Sequence, residues 1–506
     1  MGLAVIRTRA IVGLDSPPVN VEVHLANGIP GFHIVGMAET TVKEAKDRVR
    51  GALINSGFEL PAKRITVNLA PADLPKQGGR FDLPIALGIL CASEQIPASA
   101  CENIEVFGEL ALSGDVRAIA GALPFAVACQ KQGTPLILPK DNVPQVSLVN
   151  GLKCLPVASL LDAFTHLSGS HLHFTHCKKA CHAPSPPEPY WCDIVGQEHA
   201  KRGLMIAAAG NHHLLFVGPP GTGKSLLASR LLDLLPPLSV EQALEVASIR
   251  SVAGQSLDEK TWAQRPFRRP HHTASSIALT GGGSPPKPGE VSLAHHGVLF
   301  MDELPEFGRH TLDVLREPLE SGDINIARAN AQARYPARFQ LVAAMNPSPT
   351  GDILDGRSSP DQILRYLNRL SGPLLDRIDL QIEVPKLDDF GFGRLRPPSS
   401  LTAQEAYNQC ELAREKQRLR QGCLNAQLPI DKLEEACALT TADVQYFQDV
   451  ALQLELSLRV FHRCLRIART IADMANCDAV GRNHFAEAMS YRALDKLIRE
   501  FSSHVK

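Results

Sequence analysis

Gly218-Pro219-Pro220-Gly221-Thr222-Gly223-Lys224-Ser225 is the stretch whose reading decides the fold. Its glycines let the backbone turn successive N–H groups around a phosphate without Cβ clashes. A helix beginning near Lys224 aims its positive end at the same phosphate. Lys224 would reach the β- and γ-oxygens of a nucleoside triphosphate, and the Ser225 hydroxyl would ligate Mg²⁺. The apolar run His213-Leu214-Leu215-Phe216-Val217 supplies the buried strand such a loop requires, and Leu226 to Leu232 the amphipathic helix that follows. A chance Gly-rich turn would lack both flanks.

Downstream, Val298-Leu299-Phe300-Met301 ends in Asp302-Glu303. An apolar strand that closes on two carboxylates beside a phosphate loop predicts Asp302 as a holder of Mg²⁺ through water. Glu303 would then polarise the attacking water. Taken alone, such a pair can be a solvated strand end; with the loop upstream it reads as ATP hydrolysis.

A chain of 506 residues with 44% hydrophobic content has room for about three domains with full cores. The net charge of −1 rules out a globally basic protein, so any nucleic-acid contact must come from a local basic surface. The N-terminal segment lacks a signal-peptide core, and no apolar run reaches the ~20 residues a bilayer needs. Twelve cysteines without framework spacing fit free thiols, and a cytoplasmic location is expected.

Four regions are expected. Residues 1–167 form an α+β module, with half-buried strands at Val19–Leu25 and Ile65–Leu69 and a buried helix over Leu83–Leu90. Residues 168–192 are a proline-stiffened linker. Its His171, His173, His176, Cys177, Cys181, His182 and Cys192 invite zinc, but the spacing lacks a clean second ligand pair. Residues 193–390 form the α/β nucleotide domain, and residues 391–506 an all-helical portion with a helix from Ala403 and a break at Ala479–Arg482.

Several stretches in order resemble the AAA+ ATPases, and within them the magnesium-chelatase-like YifB/ComM branch. They are Pro30–Gly36, Asp193–Gln197, Arg269–Ser275, Pro288–His295 and Ser371–Asp379. The fold class implied is α/β: an AAA+ P-loop nucleotide domain with a C-terminal all-α lid, preceded by an α+β Lon-protease-like module of the S5 fold. The resemblance implies that Ile194, Val195 and Gly196 lie beside adenine and that Asn346 is a polar sensor for the lytic water. Arg377 resembles the finger that a subunit inserts into its neighbour's site, with a salt bridge to Asp376 or Asp379 as the alternative. Arg459 resembles the lid sensor of the γ-phosphate. A finger acting in trans implies a homo-oligomeric ring, most simply a hexamer.

The segment between Gly223 and Asp302 corresponds to insertions that form pore hairpins in related proteins. There Arg268, Arg269, His271, His272 and Lys287 would grip a phosphate backbone, a surface hairpin that stabilises the ring being the alternative. Arg459, Arg463, Arg466 and Arg469 share one helical face, either solvated, an interface or a DNA track. Within the Lon-like stretches Arg80 stands at the serine position and Leu123 at the lysine position, so proteolysis has no agents. Ser348 and Thr350 replace a cysteine cluster found in many relatives. The resemblance therefore implies a DNA-binding ATPase: a ring helicase that uses ATP and Mg²⁺ for branch migration in recombination and natural transformation, with recombination proteins as further partners. Alternatives are a chelatase-type motor working through partner subunits, although the N-terminal module is extra there, and a remodelling ATPase without DNA activity. A protease is the least favoured.

Overall fold

The computed structural model describes residues 2–36, 44–169, 174–176, 194, 196–258, 261–328, 331–353, 355–386, 401–454 and 456–504. The linker's zinc candidates, apart from the backbone of His176, lie outside these residues, as does Val195.

The strands of the first module alternate as expected. Pro18–Ala26 buries every second side chain, and Arg64–Ala70 does the same. Together with Gly2–Arg9 and Gly31–Val35 they form one half of an eight-stranded mixed sheet. The other half runs through Glu105–Val106, Leu136–Pro139, Lys153–Val157 and Thr175–His176. Helix Asp82–Ala92 lies against the sheet with all its residues buried, proline in its first turn, where a missing N–H costs nothing.

The second sheet has five parallel strands, in the spatial order Phe267–Arg268, Val298–Met301, Gln340–Met345, Leu214–Val217, Leu380–Glu383. The strand Gln340–Met345, with all its residues buried, intervenes between the phosphate-loop strand and the carboxylate strand. Parallel strands put all their C-terminal ends on one edge, the usual place for a ligand. Among the described residues beyond Leu401, every named element is helical.

Two short hairpins project from this domain: Gly281–Gly282 with Lys287–Pro288, and Asp323–Arg328 with Ala331–Pro336. Tyr335 on the second donates its hydroxyl to the Pro286 carbonyl on the first at 2.9 Å, so the two are tied together.

The module and the five-stranded domain share a core. Helix Ala122–Gln132 packs on helix Val240–Val252, and Phe125, Leu136 and Val146 cluster with Leu238, Val246 and Trp262. Leu123 is fully buried in that seam. Each large apolar side chain buried there contributes on the order of 1.5–3 kcal/mol. The seam also carries hydrogen bonds, from the Gly121 N–H to the Ser251 carbonyl at 3.0 Å and from the Ser251 hydroxyl to Gln145 at 3.1 Å.

Candidate active site

The phosphate loop leaves the strand Leu214–Val217 and enters the helix Lys224–Arg230. Its glycines have separate reasons. A Cβ on Gly218 would sit 2.1 Å from the Val384 carbonyl oxygen, whereas Gly221 and Gly223 hold φ of +80° and +89°. The loop's own bracing bond runs from the Thr222 hydroxyl to the Pro219 carbonyl at 3.0 Å. Ahead of it, Ile194 is buried in the domain core and Gly196 sits at φ +65°.

Lys224 is buried, and its ammonium donates to the Gly218 and Pro219 carbonyls at 2.7 and 2.8 Å and to Asn346 Oδ1 at 3.2 Å. Burial pushes this lysine below its ordinary range, while Asp302 and Glu303 pull it back up. Asn346 reaches it because Gln340–Met345 is the neighbour of the loop strand and ends at the same edge.

Asp302 accepts from the Ser225 hydroxyl at 2.9 Å and from Arg269 at 2.6 Å. A hydroxyl and a carboxylate converging at the loop are hard oxygen ligands, the set Mg²⁺ takes beside phosphates. The donor chemistry therefore fits that ion, held by Ser225 and Asp302. Glu303 turns away from the strand at φ +53°, a left-handed conformation that costs a non-glycine residue about 1 kcal/mol or more. That turn leaves its carboxylate exposed, 3.2 Å from His272.

Arg377 and Arg459 are at the other end of the sheet. They line a cleft of about 760 Å³ with His213, Gly297 and Asp379, which precede their strands, so at least one strand length separates them from their own phosphate loop. Four residues of strand span about 13 Å. Among the described residues, eight arginines and three carboxylates line this cleft. Arg377 pairs with Glu320 and donates to the Pro373 carbonyl, while Arg459 has a side chain 76% exposed and lies 3.7 Å from Asp376. The alternative partners for Arg377, Asp376 and Asp379, are taken up mainly by Arg459, Arg463 and His212.

The chain matches three family models: "Magnesium chelatase, subunit ChlI" over residues 191–390, "Subunit ChlI of Mg-chelatase" over 21–142, and "Magnesium chelatase, subunit ChlI C-terminal" over 401–492. It is 50% identical to the uncharacterized protein YifB of Escherichia coli, across 98% of each chain. It is also 50% identical to competence protein ComM of Haemophilus influenzae, across 99% of this chain and 100% of the relative. The chain belongs to the YifB/ComM family. Like other YifB/ComM proteins it is a magnesium-chelatase-like member of the AAA+ group. The magnesium-chelatase 38 kDa subunit of Cereibacter sphaeroides is 27% identical across 61% of this chain and 91% of its own.

Within this YifB/ComM chain the five residues expected to grip a phosphate backbone separate. Arg268 is bidentate on Glu290 at 2.6 and 2.7 Å, Arg269 is on Asp302, and His272 faces Glu303. In this structure the polar ends of these three are engaged by the carboxylates of Glu290, Asp302 and Glu303. His271 bonds the Thr273 hydroxyl at 2.8 Å, and Lys287 is exposed on the first hairpin. The arginine stripe also proves structural in large part. Arg463 and Arg469 are buried, the former donating to the Ile378 carbonyl at 2.9 Å and the latter to Asp473 at 2.8 Å. Arg466 donates to the Leu428 carbonyl at 2.9 Å, which leaves Arg459 as the stripe's exposed member.

Sequence reasoning missed Arg269 and His272 as partners of Asp302 and Glu303; no periodicity links residues some thirty positions apart that follow two adjacent strands. It also missed a cluster in which Glu245 Oε2 lies 3.0 Å from His295 Nε2 and 2.9 Å from His296 Nε2. His295 Nδ1 accepts the Arg338 N–H at 3.0 Å, so its Nε2 carries the proton and donates to Glu245. That tautomer has no lone pair for a metal, and the cluster is a hydrogen-bonded brace.

Proposed function

We propose that this chain is an ATP-hydrolysing ring motor, most simply a homohexamer, that promotes branch migration of DNA during homologous recombination. The observation that supports the ring is the division of phosphate-handling groups between opposite edges of one sheet. Lys224, Ser225, Asp302, Glu303 and Asn346 meet at the carboxyl edge, while Arg377 and Arg459 line the cleft at the far edge. A complete site then forms only where one subunit's far edge meets the next subunit's loop.

At such a seam the loop N–H groups and Lys224 would hold the β- and γ-phosphates, and Ser225 and Asp302 would hold Mg²⁺, whose charge would offset that of the phosphates. Glu303 orients the water and takes its proton, with Asn346 fixing the water's position. Arg377 and Arg459 offset the charge that builds on the transferring phosphoryl group. Adenine would pack near Ile194, Val195 and Gly196. The helical portion after Leu401 serves as the lid, and the N-terminal module as a non-proteolytic scaffold.

DNA as the substrate is supported by the full-length similarity to a relative named a competence protein, which fits a role in integrating incoming DNA in the cytoplasm. The hairpin that carries Lys287, tied to its partner hairpin by Tyr335, would contact the strand. A second reading, a chelatase-type motor driven through porphyrin-binding subunits, is favoured by the three chelatase-subunit matches.

Steady-state ATPase measured with and without forked, three-strand and four-way DNA separates the two. The motor reading expects turnover to rise with branched DNA and the branches to be resolved. Glu303→Gln should bind ATP yet lose turnover by about 100-fold or more, since it removes the water-polarising group and keeps the metal ligands. Lys224→Ala should lose nucleotide binding. Turnover indifferent to every DNA, but raised by a porphyrin-binding partner, would overturn the DNA reading in favour of the second.

A further inference from the structure

Arg80, at the position matched to a protease serine, lies on the wall of a small cavity between the N-terminal module and the hairpins of the motor. The cavity measures about 120 Å³. The module contributes Gln77 and Arg80, and the hairpins contribute Lys287, Gln332 and Tyr335. Among the described residues none that lines it is acidic. Arg80 Nε makes a long bond to the Gln77 carbonyl at 3.3 Å, and its Nη1 is sealed from solvent with no hydrogen-bond partner among the described residues. Burial alone pushes this guanidinium down to about 10.

A guanidinium nitrogen sealed from water without a partner is costly, and proteins pair such groups or bind an anion to them. The cavity falls well below the ~300 Å³ at which small-molecule pockets begin, so a nucleotide does not fit. We propose that this cavity is an oxyanion site that takes a single phosphate group, with Arg80 and Lys287 supplying the charge and Gln77 and Gln332 the flanking amides. Guanidinium geometry suits the bidentate recognition of such an oxyanion. The phosphate has two possible sources: the backbone of a nucleic-acid strand lying along the hairpins, or free inorganic phosphate. The site depends on neither ATP turnover nor translocation, so it stands apart from the motor reading.

The test uses the full chain carrying Lys224→Ala, so that the phosphate loop contributes little, with and without Arg80→Met. Two probes are used: inorganic phosphate at constant ionic strength, read as the shift in melting temperature, and a fluorescent single-stranded oligonucleotide titrated across salt. If free phosphate is the ligand, it raises the melting temperature saturably, and Arg80→Met abolishes the rise. If a backbone is the ligand, Arg80→Met weakens oligonucleotide binding about tenfold and lowers the salt slope by about one. Without either probe Arg80→Met should melt no lower than its parent, because it keeps the stem and removes an unpaired charge. Unchanged response to both probes overturns the site, and a lower melting temperature with both responses intact assigns Arg80 a purely structural role. Should Arg80→Met fail to fold, Lys287→Ala on the opposite wall must weaken response to the same probe, or the proposal falls. A wild type whose turnover ignores DNA would sink the motor reading and leave this experiment intact.

Discussion

The two edges of the five-stranded sheet differ in how completely their charges are matched. At the carboxyl edge each charged group meets another side chain of the same domain: Lys224 meets Asn346, Asp302 meets Ser225 and Arg269, and Glu303 meets His272. At the opposite edge, among the described residues, eight arginines face three carboxylates across an open cleft. One edge is nearly self-sufficient, and the other carries surplus positive charge suited to a phosphate-bearing neighbour. The contrast supports the proposal that the hydrolytic apparatus is split between subunits, with its nucleophile-side chemistry and its charge-offsetting chemistry on different faces of the fold.

The largest expected effect breaks that contrast directly. Arg377→Ala should lower turnover by about 1000-fold while leaving nucleotide affinity nearly intact, because finger arginines act on the transition state. Mixing Arg377→Ala with Lys224→Ala protein should restore part of the activity, since some seams then pair an intact loop with an intact finger. A mixture as inactive as its parents would show that Arg377 serves its own subunit.

A second contrast lies inside the arginine stripe. Arg463 anchors the helix Leu458–Met474 to carbonyls of Leu375, Asp376 and Ile378 and lies 3.5 Å from Asp379. Burial raises the Asp379 carboxyl, but His212 and Arg463 more than offset this and hold it down to about 2. Arg463→Ala should destabilise the fold by about 3 kcal/mol in denaturant unfolding, because it strands the carbonyls of Leu375, Asp376 and Ile378 and removes one of the partners of Asp379. Arg459→Ala, one turn earlier and exposed, should leave the unfolding midpoint alone and slow turnover. If both variants unfold alike, the division between anchor and sensor fails.

The smallest effect concerns the histidine brace beside the arginine-rich cleft. Hydrogen bonds from His295 and His296 hold the Glu245 carboxyl down to about 2, although burial opposes them. A carboxyl with a folded pKa below its unfolded value stabilises above the unfolded value, near 4.5, and loses that stabilisation as pH falls toward 2. Glu245 has a side chain 54% exposed, so the contribution is about 1 kcal/mol after allowance for solvent screening. The stability gap between wild type and Glu245→Gln should therefore narrow between pH 5 and pH 3, measured by urea unfolding; a constant gap would remove the brace from the account.

Much of this was legible in the chain itself. The loop, its strand and its helix were readable because glycine spacing and apolar periodicity are local. The helix observed at Lys224–Arg230 and the strands at Pro18–Ala26 and Arg64–Ala70 lie where those patterns put them. Partnerships across strands were not legible. Arg269 and His272 looked like exposed basic residues, and only the pairing of Phe267–Arg268 with Val298–Met301 brings them to Asp302 and Glu303. Spacing of three and four placed four arginines on one face but did not say that Arg463 and Arg469 would be buried under neighbouring carbonyls. The hairpin Asp323–Pro336 escaped although buried Ile324, Ile326, Ala333 and Tyr335 alternate with exposed neighbours, because each strand is only six residues long and the first begins straight after a short helix.

The apolar seam between the N-terminal module and helix Val240–Val252 governs where this protein can be cut. Cleaving within the 168–192 connection would leave Phe125 and Leu136 bare on one fragment and Leu238, Val246 and Trp262 bare on the other. Both pieces would then tend to clump or to find each other again, and an isolated motor fragment would report the behaviour of a wounded surface.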